Sequence, residues 1–329
     1  MSIFNHYQSV FLLLWLGCCQ MAVAQVDSVS VKKAAMEAQE KSTEQPKKSY
    51  FESSLTFLSS NIYNGRKDSL TSQYTTTSIG YCNKLGFYIT GSLSFLSNVK
   101  ESRIDLFELT AGYDFSIIKD ILAASVSANK DYYNSQSTSV KSGEKGSLNG
   151  SLSYDLDFLQ LDLGAGMLFG TKNDFNSNLS LAHAFSIEAE NASSWSFTPT
   201  VTANLSTLHF YEAYTNRKVQ KITKKKDVTS TVTSVTIVNN HHGFTLMDYE
   251  VKLPMVYESK KWGVSLTPQL AIPQNSINTT TTTTQVFKKK ASIVTTEDTT
   301  PDSEKNLRPL FYVEAEIHFN LFTGREKAK

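Results

Sequence analysis

Along most of this chain polar and apolar residues alternate with a period of two. The rhythm is cleanest from Gly146 to Phe169. There Leu148, Leu152, Tyr154 and Leu156 alternate with Ser147, Asn149, Ser151, Ser153 and Asp155. After Asp157-Phe158, Leu159, Leu161, Leu163, Ala165, Met167 and Phe169 alternate with Gln160, Asp162, Gly164 and Gly166. Successive side chains of a strand point to opposite faces, so the stretch predicts a hairpin with one apolar and one polar face.

The same pattern recurs on both sides of it. Phe51, Leu55 and Phe57 oppose Glu52, Ser54 and Thr56, and a loop follows around Asn64-Gly65-Arg66. Further strands are predicted near Tyr74–Cys82, Phe87–Phe95, Phe107–Phe115 and Leu122–Ala128, with a polar loop through Arg103. The eighth lies near Leu179–Ile187. The ninth sets Trp195, Phe197, Pro199, Val201, Ala203 and Leu205 against Ser196, Thr198, Thr200, Thr202 and Asn204. Pro199 cannot donate to a ladder, so a bulge or weak pairing is predicted there. The tenth runs near Met247–Tyr257, the eleventh from Trp262 to Ile272, and the last from Phe311 to Leu321.

These make about 12 strands, and the connections between them alternate in length. Those at 83–86, 116–121, 157–158, 188–194 and 258–261 are short. Those at 64–72, 97–103, 130–145, 170–177, 207–243 and 273–308 are longer. Short turns at one rim and long loops at the other belong to a transmembrane antiparallel β-barrel. Aromatics flank both sets of connections, as girdles at a lipid–water boundary require. A water-soluble β-sandwich would bury the apolar face and vary its connections less regularly. The fold expected is therefore all-β: a barrel over 49–322 with long, β-rich extracellular loops.

As an architecture, Tyr50 to Phe322 resembles the outer-membrane β-barrel proteins of Gram-negative bacteria. The last strand, Glu314 to Phe322, is similar to the amphipathic, aromatic-ended strand that the barrel-assembly machinery reads in that family. Thr323 to Lys329 follow it, which departs from the family pattern. The resemblance implies a place in the outer membrane. It also implies outer-membrane lipid, lipopolysaccharide and the assembly machinery as partners.

Composition narrows this further. Hydrophobic residues are 40% of the chain, and no apolar run approaches the roughly 18 residues of a membrane helix. A barrel needs only half of its strand residues apolar. The net charge of +1 argues against nucleic acid as a partner. Residues 1–24 read as an export signal, with a short apolar core from Val10 to Cys19 and Ala22-Val23-Ala24 before the cut. A short anchor or lipidation at Cys18 are the other readings. After cleavage Cys82 stands alone, which excludes an intramolecular disulfide and a cysteine metal site. Residues 25–48 read as a flexible periplasmic leader, or as a plug or partner helix around Ala34–Ala38. Residues 323–329 read as a periplasmic tail.

The polar face carries the candidate chemistry. Glu52, Glu108, Asp162, Asp248, Glu250, Lys252, Glu314, Glu316 and His318 are predicted to line the lumen. All five arginines are placed in loops or at the end. Closing first strand against last brings Glu52 towards Glu314, Glu316 and His318, and clustered carboxylates attract cations. The outer loops carry Lys224, Lys225 and Lys226, and Lys288, Lys289 and Lys290, beside Thr- and Val-rich runs. These predict extracellular β-hairpins or strand extensions with lysines near their tips, a docking site for acidic polysaccharide, lipopolysaccharide phosphate or a protein. His183 sits on the outward register with no serine in view to pair it as a base. His241-His242 is too short a pattern to define a metal site. No phosphate-cradling loop, H-E-x-x-H or G-x-S-x-G occurs.

The function expected is a passive pore or small-solute channel, cation-favouring, with no catalytic residue, cofactor or metal. A closed barrel anchoring surface loops for binding or envelope assembly is the alternative. A lipid-modifying enzyme is the third reading.

Overall fold

The structure, a computed structural model, describes residues 49–67, 73–97, 102–137, 139–170, 172–189, 193–207, 209, 231–237, 244–287 and 290–322. The predicted signal, leader and tail lie outside these, as do Lys224, Lys225, Lys226, Lys288, Lys289 and His241-His242.

The chain begins with β1 (Tyr50–Leu58), the short pair β2 (Ile62–Tyr63) and β3 (Arg66–Lys67), and β4 (Gln73–Cys82). Then follow β5 (Phe87–Ser97), β6 (Ser102–Ile118), β7 (Leu122–Tyr133), β8 (Gly146–Asp155) and β9 (Gln160–Phe169). Next come β10 (Asp174–Ala182), β11 (Phe185–Ala189), β12 (Ser193–Phe197), β13 (Thr200–Ser206) and β14 (Thr231–Ile237). The last are β15 (Thr245–Lys252), β16 (Met255–Glu258), β17 (Trp262–Pro273), β18 (Thr279–Phe287), β19 (Lys290–Asp298) and β20 (Leu310–Phe322). A one-turn helix, α1 (Asp302–Lys305), precedes β20.

Three passes across the wall are split in two: β10 with β11, β12 with β13, and β15 with β16. Counting each as one gives a closed antiparallel barrel of twelve strands. Closure runs from Tyr50↔Phe322 to Leu58↔Glu314 between β1 and β20, and β20 also pairs with β17. This pairing joins the first strand to the last, as a hydrocarbon setting demands; the short β11 pairs with β12 alone. The alternating apolar residues face outward and stay exposed, Ile79 at 65% and Leu321 at 65% among them. Their polar neighbours face inward. A belt of exposed apolar residues around a closed, even-stranded barrel is the outer-membrane arrangement.

Both ends of the barrel, Tyr50 and Phe322, lie at the rim of short turns, which is the periplasmic side. That rim carries aromatic pairs on the outer face. Phe51–Tyr81, Phe87–Tyr113 and Trp195–Tyr257 have ring centroids 5.1, 5.4 and 5.0 Å apart.

No bulge forms at Pro199, since the register runs unshifted from Ala182↔Thr200 to Phe185↔Phe197; the strand is instead interrupted, one of three such breaks on neighbouring strands. They line up through prolines: His183 N–H donates to the Pro199 carbonyl at 3.2 Å, Thr198 N–H to Pro254 at 3.0 Å, and Leu253 N–H to Pro268 at 3.1 Å. Each proline accepts and none can donate.

Two features differ from expectation. β6 starts at Ser102, so Arg103 belongs to a strand. The second Thr-rich loop forms the expected hairpin, β18–β19, with Lys290 beside its tip; the first contributes β14, which joins that hairpin in one three-stranded sheet, in the order β14-β18-β19. Two chain segments with matching β propensity share a ladder, since each supplies an open edge to the other.

Candidate functional site: the barrel interior and its outer mouth

The loop around Asn64-Gly65 is itself a hairpin. Asn64 and Gly65 have φ of 50° and 70°, the left-handed pair that a two-residue turn requires. It connects β2 to β3, and both turn inward rather than toward solvent. A Cβ on Gly65 would lie 2.9 Å from Pro273 Cβ and 3.0 Å from Asp248 Cβ. The hairpin therefore folds in over the mouth with its tip against β15 and β17, and only glycine fits there.

Around this plug the mouth has its own apolar core: Tyr63, Val140, Leu168, Met247 and Ile277 are all buried. Lys141 Nζ lies 4.9 Å from the Tyr63 ring centroid. Arg66 carries the lock. Its guanidinium donates to the Asn64 carbonyl at 2.6 Å and to the Asn275 carbonyl, and pairs with Glu304 of α1 at 3.4 Å. Glu304 also accepts from Ile277 N–H at 2.9 Å. The segment before β18 and the helix after β19 are thus tied to the plug. A second lock sits at Asp105, which accepts from Tyr74 Oη at 2.9 Å, Ser137 Oγ at 2.7 Å and Arg103 Nε at 2.9 Å. The arginines expected in solvated loops are corrected here: Arg66 is buried at 4%, and Arg103 pairs with a buried carboxylate. Carboxylates and carbonyls on the inward-folded loops draw them in.

Below the plug the barrel has two unlike walls. On β13, β15, β17 and β20 the inward residues are packed against one another. Glu250 pairs with Lys252 at 3.2 Å and accepts from Tyr312 Oη at 2.9 Å; Asp248 accepts from Asn204 Nδ2 at 2.9 Å. From β4 to β9 many inward residues are small: Ser78, Ser92, Ser94, Thr110, Ser127 and Ser151 keep part of their surface open although they point into the barrel, while Tyr88 and Asn149 lie over Gly112 and Gly166. Hydroxyls bond across strands there, Thr76 to Ser94 at 2.9 Å and Ser125 to Ser151 at 2.8 Å. Glu108 on this wall accepts from Thr110 at 3.1 Å and from Asn129 Nδ2 at 3.4 Å. The same amide reaches Asp131 at 2.7 Å, and Glu108 and Asp131 are register partners. Asp162 accepts from Ser153 at 2.5 Å and Gln160 at 2.9 Å.

Toward the periplasmic rim His318 holds two carboxylates. Its Nε2 lies 3.2 Å from Glu258 and its Nδ1 3.6 Å from Glu316, which also accepts from Thr56 Oγ1 at 2.9 Å. The expected meeting of Glu52 with Glu314 is corrected by the register. Glu52 stands opposite Asn320, Ser54 opposite His318, Thr56 opposite Glu316 and Leu58 opposite Glu314. The carboxylate that does join His318 is Glu258, one step past the predicted tenth strand on the same inward parity. Glu314 stays half-buried opposite Thr267.

His183 keeps its outward register between β10 and β11. Its Nδ1 contacts the Phe158 carbonyl, and its ring meets Phe185 edge-on at 4.3 Å. Lys290 is the first residue of β19, opposite Phe287. Among the described residues no group of three or more His, Cys, Asp or Glu side chains is placed to hold a metal ion.

No family model matches this chain, and no curated protein does. Among solved structures it is similar to LpxR from Salmonella typhimurium, with a TM-score of 0.35 and 8% identity over 82% of this chain and 99% of that one. It is similar to a bacterial polysaccharide outer membrane secretin, with a TM-score of 0.31 and 9% identity over 84% and 100%. A third is the COG4313 outer membrane channel from Pseudomonas putida F1, with a TM-score of 0.28 and 10% identity over 85% and 97%. The likeness is one of barrel architecture.

Proposed function

We propose that this outer-membrane barrel carries a narrow, cation-favouring pathway for small solutes, running along the β4–β9 wall and closed at its outer mouth by the β2–β3 plug. The carrying observation is the contrast in exposure between the two walls. Small inward residues from β4 to β9 keep open surface inside the barrel, while inward residues of β13 and β15 have almost none. Solute would pass where the side chains are small. Glu108, Asp131 and Asp162 lie along that wall, and Arg103 at its outer end is paired with Asp105, so cations would be favoured by the local field. The pathway involves no catalytic step and no cofactor.

Planar-bilayer recordings test it. Wild type in a potassium chloride gradient should give a reversal potential of cation sign. Arg66→Ala should raise open probability by releasing the plug. Glu108→Gln combined with Asp162→Asn should lower the cation-to-anion permeability ratio about twofold, the two charges being partly screened. Anion preference, or silence in both wild type and Arg66→Ala, rejects the pathway.

A second reading is favoured by one observation. The β14–β18–β19 sheet is rooted in the plug through Ile277, Glu304 and Arg66, which suits a closed barrel that holds a surface sheet for binding acidic polysaccharide, lipopolysaccharide phosphate or a protein. Liposome swelling separates the two: a pathway admits solute, an anchor does not. Lipid modification stands third. It would require ester cleavage that disappears in His183→Ala.

A further inference from the structure

A carboxylate oxygen beneath the plug has nothing to bind. Asp248 is 0% exposed, and while its Oδ1 accepts from Asn204, its Oδ2 has no hydrogen-bond partner. Two residues on and facing the same way, Glu250 is also 0% exposed. Its Oε1 is taken by Tyr312, and its Oε2 lies 3.2 Å from Lys252 Nζ without a directed hydrogen bond. Directly across on β13, Thr202 is the register partner of Glu250; it is 1% exposed and its Oγ1 is likewise unpaired. Gly65 at the plug tip seats against Asp248 and closes the space from above. Three buried oxygens without a hydrogen-bond partner thus sit on one inward patch of β13 and β15, two of them on carboxylates. Buried carboxylate oxygens are ordinarily satisfied, and unpaired buried charge is strongly disfavoured.

The charges do not balance. Asp248, Glu250 and Glu304 are negative, and Arg66 and Lys252 are positive, with Arg66 already committed to Glu304. One negative charge is left over. We propose that Asp248 Oδ2, Glu250 Oε2 and Thr202 Oγ1 bind a hard monovalent cation, sodium or potassium, in the barrel wall under the plug. The donor set is all oxygen, which selects a hard cation. The count of one surplus charge sets the valence, since a divalent ion would leave the corner positive. The site stands whether or not the barrel conducts, because it belongs to the packed wall and not to the small-residue wall.

The test uses the full chain, purified as a folded barrel in detergent and melted in sodium, potassium or choline chloride at equal ionic strength. Sodium or potassium should raise the melting temperature saturably, as a ligand of the folded state does, and choline should not. Asp248→Asn keeps a carbonyl oxygen for Asn204 and removes the charge, so the cation-specific rise should vanish. Thr202→Val removes one oxygen at nearly constant volume and should raise the half-saturating concentration by about tenfold. The sodium-23 resonance should broaden with wild type and not with Asp248→Asn. Should Asp248→Asn fail to fold, wild type and Thr202→Val in the three salts still decide. Equal melting in all three salts with no excess broadening overturns the proposal. A melting temperature that depends on pH alone also overturns it and points to a protonated Asp248.

Discussion

The packed wall and the small-residue wall are built from the same strand geometry and the same inward parity, yet they solve the interior differently. On the first, long side chains reach across and meet: Tyr312 finds Glu250, Glu250 finds Lys252, Asn204 finds Asp248. On the second, serines and threonines bond only to their lateral neighbours, as Ser125 does to Ser151, and leave space in front of them. Cohesion on the packed wall is therefore electrostatic and cooperative. On the other wall it is backbone ladder plus hydroxyl ladder, and the side chains are nearly interchangeable.

The largest difference should appear in stability. Glu250→Ala removes the buried carboxylate that Lys252 Nζ and Tyr312 Oη meet, and removing one partner of a buried pair costs about 3–5 kcal/mol. Ser127→Ala on the opposite wall should stay within about 0.5 kcal/mol. Denaturant unfolding of the detergent-solubilised barrel reads both, and equal costs would erase the distinction. Conductance should answer in reverse. Ser127→Tyr fills the space before β7 between the register neighbours Gly112 and Asn149, and should cut conductance of the Arg66→Ala barrel by roughly half, given the modest interior of a twelve-strand barrel. An unchanged value would place the pathway elsewhere.

The smallest effect lies outside both walls, at the base of the surface sheet. Hydrogen bonds from the Thr300 side chain and backbone hold Asp298 down to about 2, with Lys305 at 3.3 Å adding to them. A depressed carboxylate stabilises the fold above its ordinary range near 3.8 and loses that contribution as pH falls towards about 2. Protection of the Thr300 amide from exchange, relative to its intrinsic rate at each pH, should fall only below about pH 4, and Asp298→Asn should remove that dependence. A step near neutral pH would contradict the assignment.

The walls themselves were legible in the sequence, because a period of two states which residues share a face without saying what they touch. Glu108, Asp162, Asp248, Glu250 and Lys252 all lie on the inward face expected of them. What pattern could not supply was lateral register. Glu52 was expected beside Glu314, and a shift of a few residues along β20 separates them. Glu258 was passed over because it sits at the end of its strand, where periodicity stops. The plug was missed for a different reason. Asn64-Gly65 is a plain hairpin signal, but a hairpin tip is expected in solvent, and nothing local in Ile62-Tyr63 or Arg66 states that the turn folds inward onto Pro273 and Asp248. Inward folding is decided by residues far along the chain, Ile277 and Glu304 among them.

The row through Pro199, Pro254 and Pro268 has a mechanical meaning. A carbonyl without a companion N–H ties its strand to the next from one side only, so the lattice there is singly stitched while the rest of the cylinder is doubly stitched. Bending strain imposed by lipid of unequal thickness, or by a neighbour pressing from the side, concentrates along such a crease. The cross-section can flatten or round there while the ladders above it keep their spacing.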